Sequence, residues 1–307
     1  GALRGDASGD VLVFRGVPYA AAPTGELRWR PPHPASRWTG VRDAIAFCPI
    51  APQDISPERL VKRGLTMSED CLTLNVFSPD SVPTAPRPVM VFIHGGAYIL
   101  GTTATPLYDG AALARRGCVY VSVNYRLGAL GYMSHPALGP NSGNYGLMDQ
   151  IAALKWVRDN IAAFGGDPNN VTVFGESAGG MSVHALLTAP QAKGLFHKAI
   201  IQSGGGRPRL LPTLPLTAPA GQRSAEAAGL AFAAKAGVSG TDVAALEALR
   251  ALPAETVVDG LNMATSNTPT WGGGPMLDGK IMTREPLQAY KAGAWTKMPV
   301  MVGATSA

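Results

Sequence analysis

The chain has 307 residues, 46% of them hydrophobic and 15% charged, which is enough apolar material for a large core at a size where one large domain or two smaller ones can form. Its net charge of +5, from 26 Lys and Arg against 21 Asp and Glu, is spread along the sequence instead of clustered, which argues against nucleic-acid binding. No run reaches the ~20 apolar residues needed to cross a bilayer, and Gly1 opens no signal-peptide pattern, so a soluble protein is expected, cytoplasmic or secreted with its leader removed.

In chain order, the first strongly patterned element is Pro88-Val-Met-Val-Phe-Ile93, which reads as a strand buried on both faces and runs directly into His94-Gly95-Gly96-Ala97-Tyr98. Glycines there leave backbone N–H groups free to point at a ligand. In an acyl-transfer site such donors stabilise the oxyanion of the tetrahedral intermediate, and losing one typically costs ~3 kcal/mol of barrier. The donors to name are Gly96 N–H and Ala97 N–H. The bland alternative is a glycine-rich turn after a strand.

A second apolar strand is expected at 119–123, headed by Cys118, which reads as an inert core thiol. An amphipathic helix follows over 149–164, with Ile151, Leu154, Trp156, Val157 and Ile161 near helical spacing, and Gly165-Gly166-Asp167-Pro168 ends it. Then comes Val171-Thr-Val-Phe-Gly-Glu-Ser-Ala-Gly-Gly180: a short β-rich run, a Gly-x-Ser-x-Gly turn and a small-residue helix start. The bare pattern is common by chance and gains weight only between a strand and a helix, which is the context here. It reads as a nucleophile elbow. Gly175 and Gly179 are needed where backbone and helix pass too close for a Cβ, Glu176 precedes the nucleophile, Ser177 is raised above the strand end, and Ala178 N–H becomes a third oxyanion donor.

Beyond the elbow, a strand is expected at 198–202, Pro/Ala/Leu-rich linker character at 207–220, helices at 223–236 and 241–252, a Thr/Gly/Pro loop carrying Trp271 at 262–274, and a last strand at 299–302. Strands separated by helix-length segments predict an α/β fold, a mostly parallel sheet with helices on both faces and the elbow on the central strand.

Around these motifs the sequence resembles the type-B carboxylesterase and cholinesterase family of α/β-hydrolases. Seven blocks carry the likeness in family order: Phe14-Arg-Gly-Val-Pro-Tyr-Ala20, Leu27-Arg-Trp-Arg-Pro-Pro32, Ser68-Glu-Asp-Cys-Leu-Thr-Leu-Asn-Val76, Asn124-Tyr-Arg-Leu-Gly128, Gly143-Asn-Tyr-Gly-Leu-Met-Asp-Gln150, Phe164-Gly-Gly-Asp-Pro168 and Gln202-Ser-Gly204. The resemblance implies the α/β-hydrolase fold, a Ser-His-Glu (sometimes Asp) triad at the foot of a gorge, and hydrolysis of small carboxylic esters without cofactor or metal. It implies buried structural ion pairs Arg28–Glu69 and Arg126–Asp149, a disulfide between Cys48 and Cys71 in secreted relatives, and a serine near the site at Ser203.

The resemblance covers the whole chain but only the larger N-terminal part of a family member, so residues 1–307 are expected to form one α/β-hydrolase domain truncated before the triad acid and histidine. The acid is expected immediately beyond Ala307 and the histidine further on. None of His33, His94, His135, His184 and His197 lies in the family's histidine motif. The fragment is therefore expected to be weakly active or inactive, unless a second polypeptide supplies the remaining part. Where cholinesterases carry a choline-stacking tryptophan this chain has Val61, which favours generic esters over choline esters. The alternative is a cholinesterase-like, non-catalytic adhesion or interaction domain; such relatives usually lose the serine, and Ser177 is retained.

Overall fold

The computed structural model describes residues 1–81, 84–140, 142–205, 213–219 and 221–305. Its strands are β1 (Ala2–Arg4), β2 (Asp6–Ser8), β3 (Val11–Pro18), β4 (Val41–Asp43), β5 (Thr73–Pro79), β6 (Arg87–Ile93), β7 (Val119–Val123), β8 (Gly166–Glu176), β9 (Lys198–Gln202) and β10 (Val300–Gly303). The helices are α1 (Pro57–Lys62), α2 (Ala111–Ala114), α3 (Gly128–Tyr132), α4 (Tyr145–Asn160), α5 (Ala178–Thr188), α6 (Ala225–Lys235), α7 (Val243–Ala251), α8 (Ala254–Val258) and α9 (Pro286–Lys291).

Among the described residues, eight strands form one sheet in the order β10, β9, β8, β6, β7, β5, β3, β2. The first five run parallel, and β5, β3 and β2 extend the sheet as antiparallel neighbours. The sheet is thus mixed, and β8, which leads into the elbow, is the middle strand of the parallel part. β1 and β4 pair separately as a short exposed parallel ribbon.

Period-two alternation accounts for the sheet's two cores. Val89, Val91 and Ile93 of β6, Val119, Val121 and Val123 of β7, and Val171 and Val173 of β8 join one large cluster with Leu154 and Val157 of α4 and Leu186 of α5. The intervening residues Phe92 and Tyr120, with Phe77 and the partly buried Met90 and Phe174, pack into a second cluster. There the Phe92 ring lies 4.7 Å from Tyr108 and 5.1 Å from Phe174. Full burial of each such side chain is worth roughly 1.5–3 kcal/mol, so the parallel strands are rigid supports for what emerges from their ends. A third cluster joins Trp29 with Phe232, Leu249 and Val257 from α6, α7 and α8.

Tertiary contacts move some element ends from where local pattern puts them. α4 starts at Tyr145, ahead of the expected 149, and a 3₁₀ turn, Ile161–Phe164, completes it. Its start is set from a distance: Asn144, in left-handed conformation, donates to Met276 O at 2.8 Å and accepts from Met276 N–H at 2.9 Å, fastening the 270s loop to the helix. α6 and α7 are trimmed by their own caps, Ser224 accepting from Ala227 N–H and Asp242 from Ala245 N–H. Half of the expected linker at 207–220 lies outside the described residues.

The disulfide implied by resemblance is not formed: Cys48 and Cys71 are both free thiols, as is Cys118. Cys48 Sγ turns to the Gly16 carbonyl at 3.5 Å, while Cys71 is fully buried in the large core. Burial raises the pKa of all three thiols, which disfavours the thiolate that exchange chemistry needs. No helix among the described residues is long and apolar enough to cross a membrane.

Candidate active site

The C-terminal ends of β6, β8 and β9 lie side by side, Ile93 in register with Gly175 and Glu176 with Gln202. Chain segments leaving these strands therefore converge on one edge of the sheet, where ligands of open α/β sheets bind. Ser177 sits between β8 and α5 at φ 55°, ψ −122°, a conformation that side-chain-bearing residues rarely hold without compensation. The surroundings over-determine it. Ser177 N–H donates to Gln202 O at 2.9 Å, and Met181 N–H donates to Ser177 O at 2.9 Å to start the helix.

The glycines flanking the serine are there because nothing larger fits. A Cβ on Gly175 would lie 2.4 Å from the Gly179 carbonyl carbon, and one on Gly179 would lie 2.0 Å from Ile93 O. A Cβ on Gly180 would meet Gly204 Cα at 2.7 Å. α5 is thereby pressed onto the ends of β6 and β9 with its N-terminus at Ser177.

The loop after β6 folds over the serine. A Cβ on Gly95 would stand 3.0 Å from Ser177 Cβ and 2.6 Å from Glu176 O, so the loop and the elbow are in direct contact. Gly96 (φ 112°), Ala97 (φ 53°) and Tyr98 (φ 63°) all have positive φ, which turns the backbone sharply. Gly96 O takes up the Ile99 and Leu100 N–H groups, and Tyr98 O accepts from Gly128 N–H at 2.7 Å. Among the described residues, no acceptor pairs with the N–H of Gly96, Ala97 or Ala178. Ala178 is buried and the other two are half-buried, where an unpaired N–H ordinarily costs about 1–3 kcal/mol. Three donors without partners among the described residues thus lie on the residue after a half-buried serine and on the loop whose Gly95 packs against it, at a helix N-terminus that adds its partial positive charge.

Among the described residues, none of the five histidines hydrogen-bonds to Ser177. His94 is buried, its Nδ1–H donating to Gly95 O at 2.8 Å and its ring stacked 4.5 Å from Tyr125. Burial lowers its pKa to about 4, so it is a neutral strut at pH 7. His184 contacts the Tyr290 hydroxyl at 2.7 Å, His135 accepts from Ala137 N–H, and His197 accepts from Val171 N–H near the far end of β8. His33 is exposed in the irregular N-terminal segment. Glu176 is exposed, and Ser203 (φ 48°) donates its N–H to Gly303 O at 2.8 Å beside the elbow.

Arg126 and Asp149 form a bidentate pair at 2.7 and 2.8 Å with both side chains inaccessible, and Asp149 also accepts from Arg126 N–H. Arg28 pairs with Glu69 and donates to Arg250 O at 3.0 Å, tying the N-terminal segment to α7. Both pairs lock segments together and neither touches Ser177. Sequence reasoning missed two residues that touch the oxyanion loop from elsewhere: Tyr125, whose hydroxyl donates to His94 O at 2.8 Å, and Gln53, whose amide pairs with Gly101. Tyr125 lies inside a quoted block, so a signal existed; Gln53 had none.

A model described as the carboxylesterase family matches residues 1–307. The "Fumonisin B1 esterase" of Sphingopyxis macrogoltabida is 45% identical over 312 residues, an alignment covering 99% of this chain and 54% of that protein. The "Para-nitrobenzyl esterase" of Bacillus subtilis (strain 168) is 43% identical over 315 residues, covering 99% and 61%. Among solved structures, a Geobacillus stearothermophilus carboxylesterase superposes with a TM-score of 0.84 at 40% identity, covering 99% of this chain and 60% of that one. The chain thus spans roughly half to three-fifths of the length of these relatives.

Proposed function

The chain belongs to the carboxylesterase family and has its α/β-hydrolase fold, and from that premise we propose that Ser177 is the nucleophile of carboxylic-ester hydrolysis, with the N–H groups of Gly96, Ala97 and Ala178 as its oxyanion hole. The observation that supports this most directly is that three donors with no acceptor among the described residues sit on the residue after Ser177 and on the loop packed against it, beside a serine held in a strained turn. Ser177 Oγ attacks the ester carbonyl carbon as its proton passes to a general base, water where no histidine is in reach, and the carbonyl electron pair moves to oxygen, where the three donors stabilise the charge. Collapse expels the alcohol, which takes up a proton as it leaves, and water hydrolyses the acyl-enzyme, releasing the acid and returning the serine proton.

The proton acceptor for Ser177 is none of the five histidines, since each ring is engaged or lies elsewhere. Residues 1–307 therefore act as one α/β-hydrolase domain carrying the nucleophile and oxyanion hole of the reaction. The ligand is a small-molecule ester. The second polypeptide expected from the sequence has no support in the comparisons and plays no part here. Val61 is 79% exposed on α1 and offers no aromatic face, so a quaternary ammonium forgoes the ~0.5–2 kcal/mol of a cation–π contact there. Generic esters are accordingly favoured over choline esters, and the non-catalytic alternative is disfavoured by the retained serine and oxyanion loop.

The test is hydrolysis of p-nitrophenyl acetate and butyrate by the 307-residue chain beside Ser177→Ala. Oxyanion donors and binding alone leave ~10³–10⁴-fold acceleration over water in a disabled triad, and a rate of that order, largely retained in Ser177→Ala, is expected. A normal esterase turnover abolished by Ser177→Ala would show that one of the five histidines serves as base and would overturn this assignment.

A further inference from the structure

The oxyanion loop has a second anchor that lies outside every motif, the side chain of Gln53. Gln53 is 7% exposed, on the irregular segment before α1. Its Oε1 accepts from Gly101 N–H at 2.9 Å, and its Nε2 donates to Gly101 O and to Ala51 O, each at 3.0 Å. Both amide hydrogens and the carbonyl oxygen are thus engaged with backbone, and the side chain keeps no hydrogen for a substrate.

Gly101 is the residue on which the loop closes. Its φ is 124°, and a Cβ there would stand 2.4 Å from His94 Nδ1 and 2.6 Å from Gly95 O. The Gly101 backbone therefore lies against the peptide that precedes the two loop donors. From the other end, Tyr125 holds His94 O. Between these anchors the chain passes through Gly96, Ala97 and Tyr98, all at positive φ, and nothing among the described residues pairs with the Gly96 or Ala97 N–H. A loop whose donors are left unpaired for a ligand has to be held by contacts outside those donors, and the Gln53 amide supplies a two-point contact.

We propose that Gln53 is a positioning residue for the oxyanion hole, acting through Gly101 on the His94-Gly95-Gly96-Ala97 backbone. The role rests on the esterase reading given above. Since a donor displaced by about 1 Å loses much of its effect on the transition state, loosening this contact lowers turnover and leaves ground-state binding in place. The neighbouring Asp54 accepts from Asn262 Nδ2 at 2.7 Å, so the same short segment also ties the 260s loop to the site.

The experiment uses the 307-residue chain and two variants, Gln53→Met, which keeps the bulk and removes both contacts, and Gln53→Glu, which keeps an acceptor for Gly101 N–H. Residue-resolved hydrogen exchange is read at residues 95–101, alongside the rate of p-nitrophenyl acetate hydrolysis above that in water. Expected for Gln53→Met are exchange at Ile99, Leu100 and Gly101 at least tenfold faster, a kcat at least tenfold lower, KM within twofold, and unchanged exchange in β7 and β8; Gln53→Glu falls between. The proposal is overturned by wild-type exchange across 95–101, by faster exchange spread equally through β7 and β8, or by a raised KM at unchanged kcat. If the chain gives no acceleration of hydrolysis over water, the esterase reading fails and the exchange result alone decides whether Gln53 holds the loop.

Discussion

A backbone held at φ 55° with a side chain attached costs on the order of 1–3 kcal/mol, and at Ser177 that cost has a measurable signature. Glycine relieves the strain while alanine keeps it, so Ser177→Gly should be more stable than Ser177→Ala by about 1–3 kcal/mol in urea unfolding; equal stabilities would mean that the turn is unstrained. The Arg126–Asp149 pair carries an opposite lesson, since both side chains are buried and mutually satisfied. Asp149→Asn should cost about 3–5 kcal/mol by leaving a buried guanidinium without its counter-charge. An Arg126→Met/Asp149→Leu double variant should recover much of that loss, and urea midpoints of the three proteins check both statements. A stable Asp149→Asn protein that no longer binds substrate would make the pair a site residue instead. Ser177, Gly175 and Gly179 were legible in the sequence because the chemistry of an elbow is confined to consecutive residues. Gln53 acts across a separation of 48 residues, through backbone atoms that any residue carries, and a single sequence has no local mark for such a contact.

The joint of β6, β8 and α5 is the element on which the site depends. Because a Cβ on Gly179 would sit 2.0 Å from Ile93 O, with backbone on both sides, Gly179→Ala cannot be absorbed by a side-chain shift. It should yield insoluble or unfolded protein, read by circular dichroism and soluble yield, and a native-like variant would contradict the packing described. Strands β7 and β9 coincide with their sequence expectations because their apolar runs are short and bounded. β8 begins five residues earlier than the expected 171, at Gly166, because Arg87 pairs with Gly166 across the neighbouring strand, a contact that hydropathy does not register.

Across the whole molecule, burial of histidine sets the response to acid. His94 is held neutral with its pKa lowered to about 4, whereas an unfolded histidine titrates near ~6.5. As pH falls, the unfolded chain takes up this proton first, so stability is complete above about 6.5, declines towards 4 and levels off once the folded ring is itself protonated. The loss from this ring is on the order of 3 kcal/mol. Burial lowers His184 and His135 in the same direction. Urea midpoints at pH 7.5 and 4.5 measure the slope, and His94→Asn should flatten it; an unchanged slope would place the acid sensitivity elsewhere. The parallel sheet and its central elbow strand were readable from periodicity and motif, while the antiparallel extension and the contacts that hold the loop after β6 required the folded chain. The account stands on Ser177 being an acyl-accepting nucleophile within this architecture. Prolonged treatment of the 307-residue chain with a fluorophosphonate, followed by peptide mass mapping, tests it most directly: the account predicts an adduct on the peptide containing Ser177, formed slowly because no histidine of these residues takes its proton, and none in Ser177→Ala, and an adduct confined to other residues would contradict it.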